Sequence, residues 1–120
     1  MKNLLLVTAT AATLQLFLAD NAEAAQVREV TFTSNNQTLV GDLYLPDEYQ
    51  EGDKLPGVLV TGAWTTVKEQ MPATYAEEMA DRGHAVLAFA FRNWGESGGN
   101  ERQLENHANK TQDIEAAANY

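Results

Sequence analysis

The sequence is poor in the residues that build many kinds of site. It has no cysteine, which excludes a disulfide framework, a thiolate nucleophile and a cysteine-built zinc site. Its two histidines, His84 and His107, are too few for a histidine-built metal centre. Basic side chains are also scarce: eight Lys and Arg stand against 17 Asp and Glu, for a net charge of −9. That excess repels phosphate backbones and anionic lipid surfaces, so nucleic acid and membrane docking are poor expectations. A neutral or cationic small molecule suits it better, and neither a metal nor a cofactor is expected. What is present is ordinary for a globular chain, with 44% hydrophobic and 21% charged residues in 120 positions. Those values allow one small domain and argue against disorder.

The first 24 residues read as an address. Lys2 supplies a positive start, and Leu4 to Ala19 is an apolar run interrupted by Thr8, Thr10, Thr13 and Gln15. It is short of the roughly 20 apolar residues of a membrane span. Ala22-Glu23-Ala24 then offers the small-x-small pattern of a signal peptidase site. Export with cleavage after Ala24 is expected, with no stable membrane anchor. The alternative is a retained amino-terminal helix. Lys2, Asp20 and Glu23 would leave with the leader, so the acidic excess survives processing.

In the remaining chain, Val27 to Thr33 and Leu39 to Leu45 alternate around the turn-prone Ser34-Asn35-Asn36-Gln37, which predicts a hairpin ended by Pro46. Gly57-Val58-Leu59-Val60 and Ala85 to Phe91 are continuous apolar runs, expected as parallel strands covered on both faces. Between them Pro72 suits a helix start and Gly83 a left-handed helix end, with Tyr75, Ala76, Met79 and Ala80 as the apolar stripe. Strand, helix and strand make a βαβ unit, and the fold class is α/β. A last helix is expected with Asn109 and Gln112 as a capping box and Ile114, Ala117 and Ala118 on one face. Its pattern is read as running to Tyr120 without a stop signal.

Three segments then carry a likeness. Leu39-Val40-Gly41-Asp42-Leu43-Tyr44-Leu45-Pro46, Leu55 to Trp64, and Phe91-Arg92-Asn93-Trp94-Gly95-Glu96-Ser97-Gly98-Gly99, in this order and with the closing Asp113-Ile114 helix, resemble the amino-terminal part of an α/β-hydrolase of the dienelactone hydrolase and acyl-peptidase-like branch. The resemblance implies about eight strands and roughly 250 residues in one domain. It also implies a nucleophile elbow after the fifth strand, followed by an acid and a histidine. On that pattern residues 25–120 are a partial domain, recorded without its Ser (or Cys), Asp and His triad and inactive alone. The family's turn after the third strand lends a backbone N–H to the oxyanion hole. Here it corresponds to Thr61-Gly62-Ala63-Trp64, with Ala63 as donor and Trp64 beside it, and Thr61 where a histidine is frequent. The alternative is an ordinary loop with Trp64 in the core.

Gly95-Glu96-Ser97-Gly98-Gly99 is a literal G-x-S-x-G, yet Ser97 is only a weak nucleophile candidate. An elbow serine needs a strand running into the first glycine and a helix just beyond. Arg92-Asn93-Trp94 intervene on one side and polar Asn100 to Gln103 follow on the other. The family's counterpart is a bracing loop after the fourth strand, with Asp where Ala90 stands and Gly where Asn93 stands. Loss of that Asp removes an expected partner for Arg92. A local Ser97, His107 and Asp113 triad would have the wrong chain order, and His107 reads as solvated. His84 reads as a satisfied strand-edge residue, and Glu77, Glu78, Glu101 and Glu105 as solvated faces.

The favoured expectation is the front part of an exported hydrolase acting on ester or acyl compounds. A secreted, non-catalytic binding or interaction module is the competing class, and a small Ser97 hydrolase the third.

Overall fold

The structure, a computed structural model, describes residues 25–120. The leader proposed for 1–24 lies outside the described residues. Strands β1 (Gln26–Ser34) and β2 (Gln37–Leu45) form the expected hairpin, in register from Ser34 opposite Gln37 to Gln26 opposite Leu45. Asn35 and Asn36 both sit at positive φ, 45° and 63°. This is the two-residue turn whose twist matches that of the strands it joins.

Strand β3 (Gly57–Val60) leads to helix α1 (Met71–Ala80), then to strand β4 (Ala85–Phe89), which pairs with β3 in parallel. Pro72 lies in the first turn of α1. At its end Gly83 adopts φ +89°, its N–H donates to Ala80 O, and the His84 N–H donates to Met79 O. That pair of bonds is a Schellman closure, which needs the left-handed conformation at Gly83. The buried stripe of α1 is narrower than expected: Pro72, Ala76 and Ala80 are buried while Tyr75 is 54% exposed.

The sheet order is β1-β2-β4-β3, with β2 antiparallel to β4. Successive residues of β4 point to opposite faces. Val86 and Ala88 pack with Val60, Tyr44, Ala76 and Ala80 under α1, whereas Leu87 and Phe89 join Phe32, Leu39, Phe91, Trp94 and Ala117 under helix α2 (His107–Ala118). Both faces of β4 are therefore covered, which explains its unbroken apolar run. The regular strand stops at Phe89, although Ala90 and Phe91 continue buried.

The same expectation fails for β3. Only Val60 is buried, and Leu59 is 37% exposed. β3 is the sheet's outer strand, and α2 packs toward β1. Among the described residues the second face of β3 is only partly covered: Leu59 borders a groove shared with Ala117, Ala118 and Tyr120 at the end of α2.

Helix α2 also differs from expectation at its start. Its cap is Asn106, whose side chain accepts from the Asn109 N–H at 3.0 Å. Asn109 is thus the third helical residue and not the cap. At its other end Asn119 stays right-handed, φ −93°; its N–H donates to Glu115 O and Ala116 O, and its Nδ2 donates to Glu115 O at 2.9 Å. The buried positions are Asp113 and Ala117, four apart, while Ile114 and Ala118 are exposed. No described helix is long and apolar enough to cross a membrane.

Candidate active-site turn and its bracing loop

Because β3 and β4 run in parallel, the segments that follow them leave from the same end of the sheet. The β3 segment contains the predicted oxyanion turn. Gly62 has no room for a side chain, since a Cβ there would collide with the Thr66 side chain and press on Pro72. Thr66 closes the turn by donating both its N–H (3.3 Å) and its hydroxyl (2.8 Å) to Ala63 O. Thr65 sits at φ +66°, an unusual conformation for a β-branched residue and one that concentrates at functional sites.

Among the described residues, neither the Ala63 nor the Trp64 N–H donates a hydrogen bond. Both residues are exposed, and Trp64 at 73% is far from a core residue. The turn therefore presents two adjacent free N–H donors on a fixed backbone. Preorganised donors of this kind can stabilise a developing oxyanion.

Nothing in the sequence marks Lys68, yet it pins this segment. Its ammonium is buried and bonds Asp42 of β2 at 2.9 Å and Glu69 at 2.8 Å, with Glu96 at 3.6 Å. Burial alone would lower its pKa, but the bonds to Glu69 and Asp42 outweigh burial and raise it above the ordinary lysine value. Burial likewise pushes Glu69 upward, and its hydrogen bond with Lys68 reverses this to a net lowering.

The segment after β4 is built in the opposite way. Ser97 is buried, its hydroxyl donates to Ala90 O at 2.6 Å, and it accepts from the Val40 N–H at 2.9 Å. No helix starts beyond it until His107. Arg102 donates to Ser97 O at 2.7 Å and to Gly95 O at 2.5 Å. The imagined Ser97, His107, Asp113 arrangement does not form: His107 is exposed and Asp113 is engaged elsewhere.

Asp113 corrects the expectation that Arg92 lacks a partner. Fully buried, it accepts from the Arg92 N–H (2.9 Å), Nε (2.9 Å) and Nη2 (2.7 Å) and from the Ser34 hydroxyl (2.7 Å). A carboxylate from α2 thus partners Arg92 and ties the segment after β4 to that helix. Asn93, where glycine was expected, takes φ +70°, a conformation asparagine tolerates better than most residues. His84 Nδ1 lies 3.1 Å from Met79 O, as expected of a satisfied edge residue. Glu77, Glu78 and Glu101 are exposed, but Glu105 pairs with Lys110 at 2.7 Å.

No protein-family model matches the chain. It is 42% identical over 94 residues to the uncharacterized protein PA2218 of Pseudomonas aeruginosa, covering 78% of this chain and 25% of that protein. It is 38% identical over 95 residues to the uncharacterized protein YcjY of Escherichia coli, covering 77% and 31%. The chain therefore spans less than a third of the length of these relatives. The solved structure of PA2218 superposes with a TM-score of 0.75 at 40% identity, over 82% of this chain and 30% of that one. The α/β hydrolase GrgF from Penicillium sp. sh18 superposes at 0.69 with 19% identity, over 78% and 31%. The described residues thus fold as a small mixed α/β unit that matches part of the α/β-hydrolase architecture.

Proposed function

We propose that the chain is the amino-terminal part of an exported hydrolase of the dienelactone hydrolase and acyl-peptidase-like branch, acting in its complete form on ester or acyl substrates. Its nucleophile, acid and histidine come from residues outside this chain. The contribution of residues 25–120 is the oxyanion turn, with the Ala63 N–H as donor and Trp64 beside it. The observation that carries this reading is that pair of unengaged N–H groups directly after β3, held by Gly62, Thr66 and Lys68. The half-exposed outer face of β3 and the small share of each relative that the chain spans support it as well.

In such a reaction the nucleophile attacks the acyl carbon, and negative charge builds on the carbonyl oxygen. Donors already aimed at that oxygen require no reorganisation at the moment of attack. The test is to read the coding sequence beyond Tyr120 and assay the encoded product on activated esters. A strand, a G-x-[SC]-x-G elbow and later Asp and His are expected there. Ala63→Pro, which removes the donor, should lower kcat about 100- to 1,000-fold with a smaller effect on KM. An unrelated downstream sequence, or full activity in Ala63→Pro, would overturn the proposal.

A further inference from the structure

A cleft of about 460 Å³ opens beside the bracing loop, away from the groups assigned to acyl transfer. Its walls come from three places: the β1–β2 turn (Asn35 and Gln37), the segment after β4 (Arg92 to Glu101) and the first turn of α2 (Asn109). The lining is almost entirely carboxamide, with one guanidinium and one carboxylate and no apolar side chain.

One group in it is held in place without a protein partner. Asn93 is only 5% exposed, yet among the described residues its carboxamide neither donates nor accepts a hydrogen bond. Among the described residues no fully buried side-chain polar atom lacks a partner, so the polar atoms of this carboxamide keep their small accessible area on the cleft that Asn93 lines. The residue is also rigidly placed. Its N–H donates to Gly98 O at 2.8 Å, its carbonyl accepts from the Gln103 N–H at 2.8 Å, and its Oδ1 rests where a side chain at Gly99 would have to be. Beside it, Arg92 Nη1 makes only a long 3.4 Å bond to Asn109 Oδ1, while the rest of the guanidinium is saturated. A fixed carboxamide that faces the cleft without a protein partner, next to a weakly engaged guanidinium donor, is a preorganised set of polar contacts.

From this we infer that the cleft binds a neutral, polyhydroxylated ligand, a sugar unit, through the Asn93 carboxamide and Arg92 Nη1. Carboxamides offer donors and acceptors together, as hydroxyl groups do, so the two complement each other. An anion is disfavoured because Asp113 already neutralises Arg92, Glu101 lines the cleft, and the chain carries a charge of −9. An apolar ligand finds no apolar wall. The volume falls within the range of small-molecule sites and holds a sugar ring.

The experiment is an NMR titration of the full chain, following the Asn93 side-chain amide, with D-glucose, D-galactose, D-mannose, D-xylose, sodium acetate and sodium phosphate as separate probes. At least one sugar should give a saturable shift with Kd of about 1–10 mM. Asn93→Gly keeps the positive φ that glycine adopts freely, so it should melt no lower than the parent while weakening that sugar at least tenfold. Gln37→Ala, on the opposite wall, should weaken it less. No saturable shift from any of the four sugars at about 100 mM would overturn the inference, since weak millimolar sites are filled there. Unchanged sugar binding by Asn93→Gly would also overturn it, as would acetate or phosphate binding more tightly than every sugar.

Discussion

Two segments leave the same end of the sheet and spend their polar groups differently. After β3, the chain turns tightly on Gly62 and leaves the Ala63 and Trp64 N–H groups unengaged beside solvent. After β4, Ser97 and Arg92 tie the segment to β2, β1 and α2, and Arg102 ties it to itself. The contrast separates a segment closed by its own hydrogen bonds from one that keeps two donors free. Donors that must meet a transient oxyanion have to stay free in the resting protein, whereas a brace works by being fully satisfied. The serine inside G-x-S-x-G belongs to the closed segment: its hydroxyl donates to the Ala90 carbonyl and accepts from the Val40 amide.

The largest expected effect comes from breaking the brace. Asp113→Ala leaves the Arg92 guanidinium buried without its counter-charge and should lower unfolding free energy by about 3–5 kcal/mol in urea titrations. A loss below about 1 kcal/mol would mean that the loop after β4 is not held by α2. Ser97→Ala strands the Val40 N–H and the Ala90 carbonyl, and should cost about 1–3 kcal/mol. Fluorophosphonate labelling of the parent should show no modification at Ser97 beyond that variant. Labelling there would erase the distinction between the two segments.

The smallest effect is electrostatic and belongs to the segment after β3. The pKa of Glu69 is lowered in the fold, so its pairing with Lys68 stabilises above the ordinary value of 4.5 and is lost as pH falls through the lower folded value. The pKa of Lys68 is raised, so its contribution is complete below its ordinary 10.5 and fades only as pH climbs through the higher folded value. Stability measured against pH should therefore lose a Lys68-dependent component only at these two extremes. A Lys68→Met variant should flatten the acid and alkaline limbs together, and identical profiles for the two proteins would remove Lys68 as the pin.

The hairpin and the βαβ unit were legible because they are local: alternation, Asn-Asn, Pro72 and Gly83 each act within a few residues. The burial of Ser97 in a loop agrees with its sequence context, since Arg92-Asn93-Trp94 stand between the expected strand end at Phe91 and Gly95. The pairing of Arg92 with Asp113 was not, because it joins residues 21 apart through the tertiary packing of α2. Its only trace is a lone Asp four residues before buried Ala117. The exposure of Leu59 was hidden for the same reason: an apolar run shows what a strand can bury, not whether a helix lies over it. Lys68, in a polar stretch, reads as solvated until β2 brings Asp42 alongside. The free donors at Ala63 and Trp64 were anticipated only through the family likeness, because turn chemistry alone does not reveal which N–H groups stay unengaged.

The most direct test of this division of labour is amide hydrogen exchange, resolved residue by residue in the native protein. The Ala63 and Trp64 amides should exchange near the rate of an unstructured chain, while those of Val40, Arg92 and Gly98, each closed by a bond of 2.9 Å or shorter, should be slowed by orders of magnitude. Comparable protection at all five positions would show that the turn after β3 is already occupied, and would contradict the account.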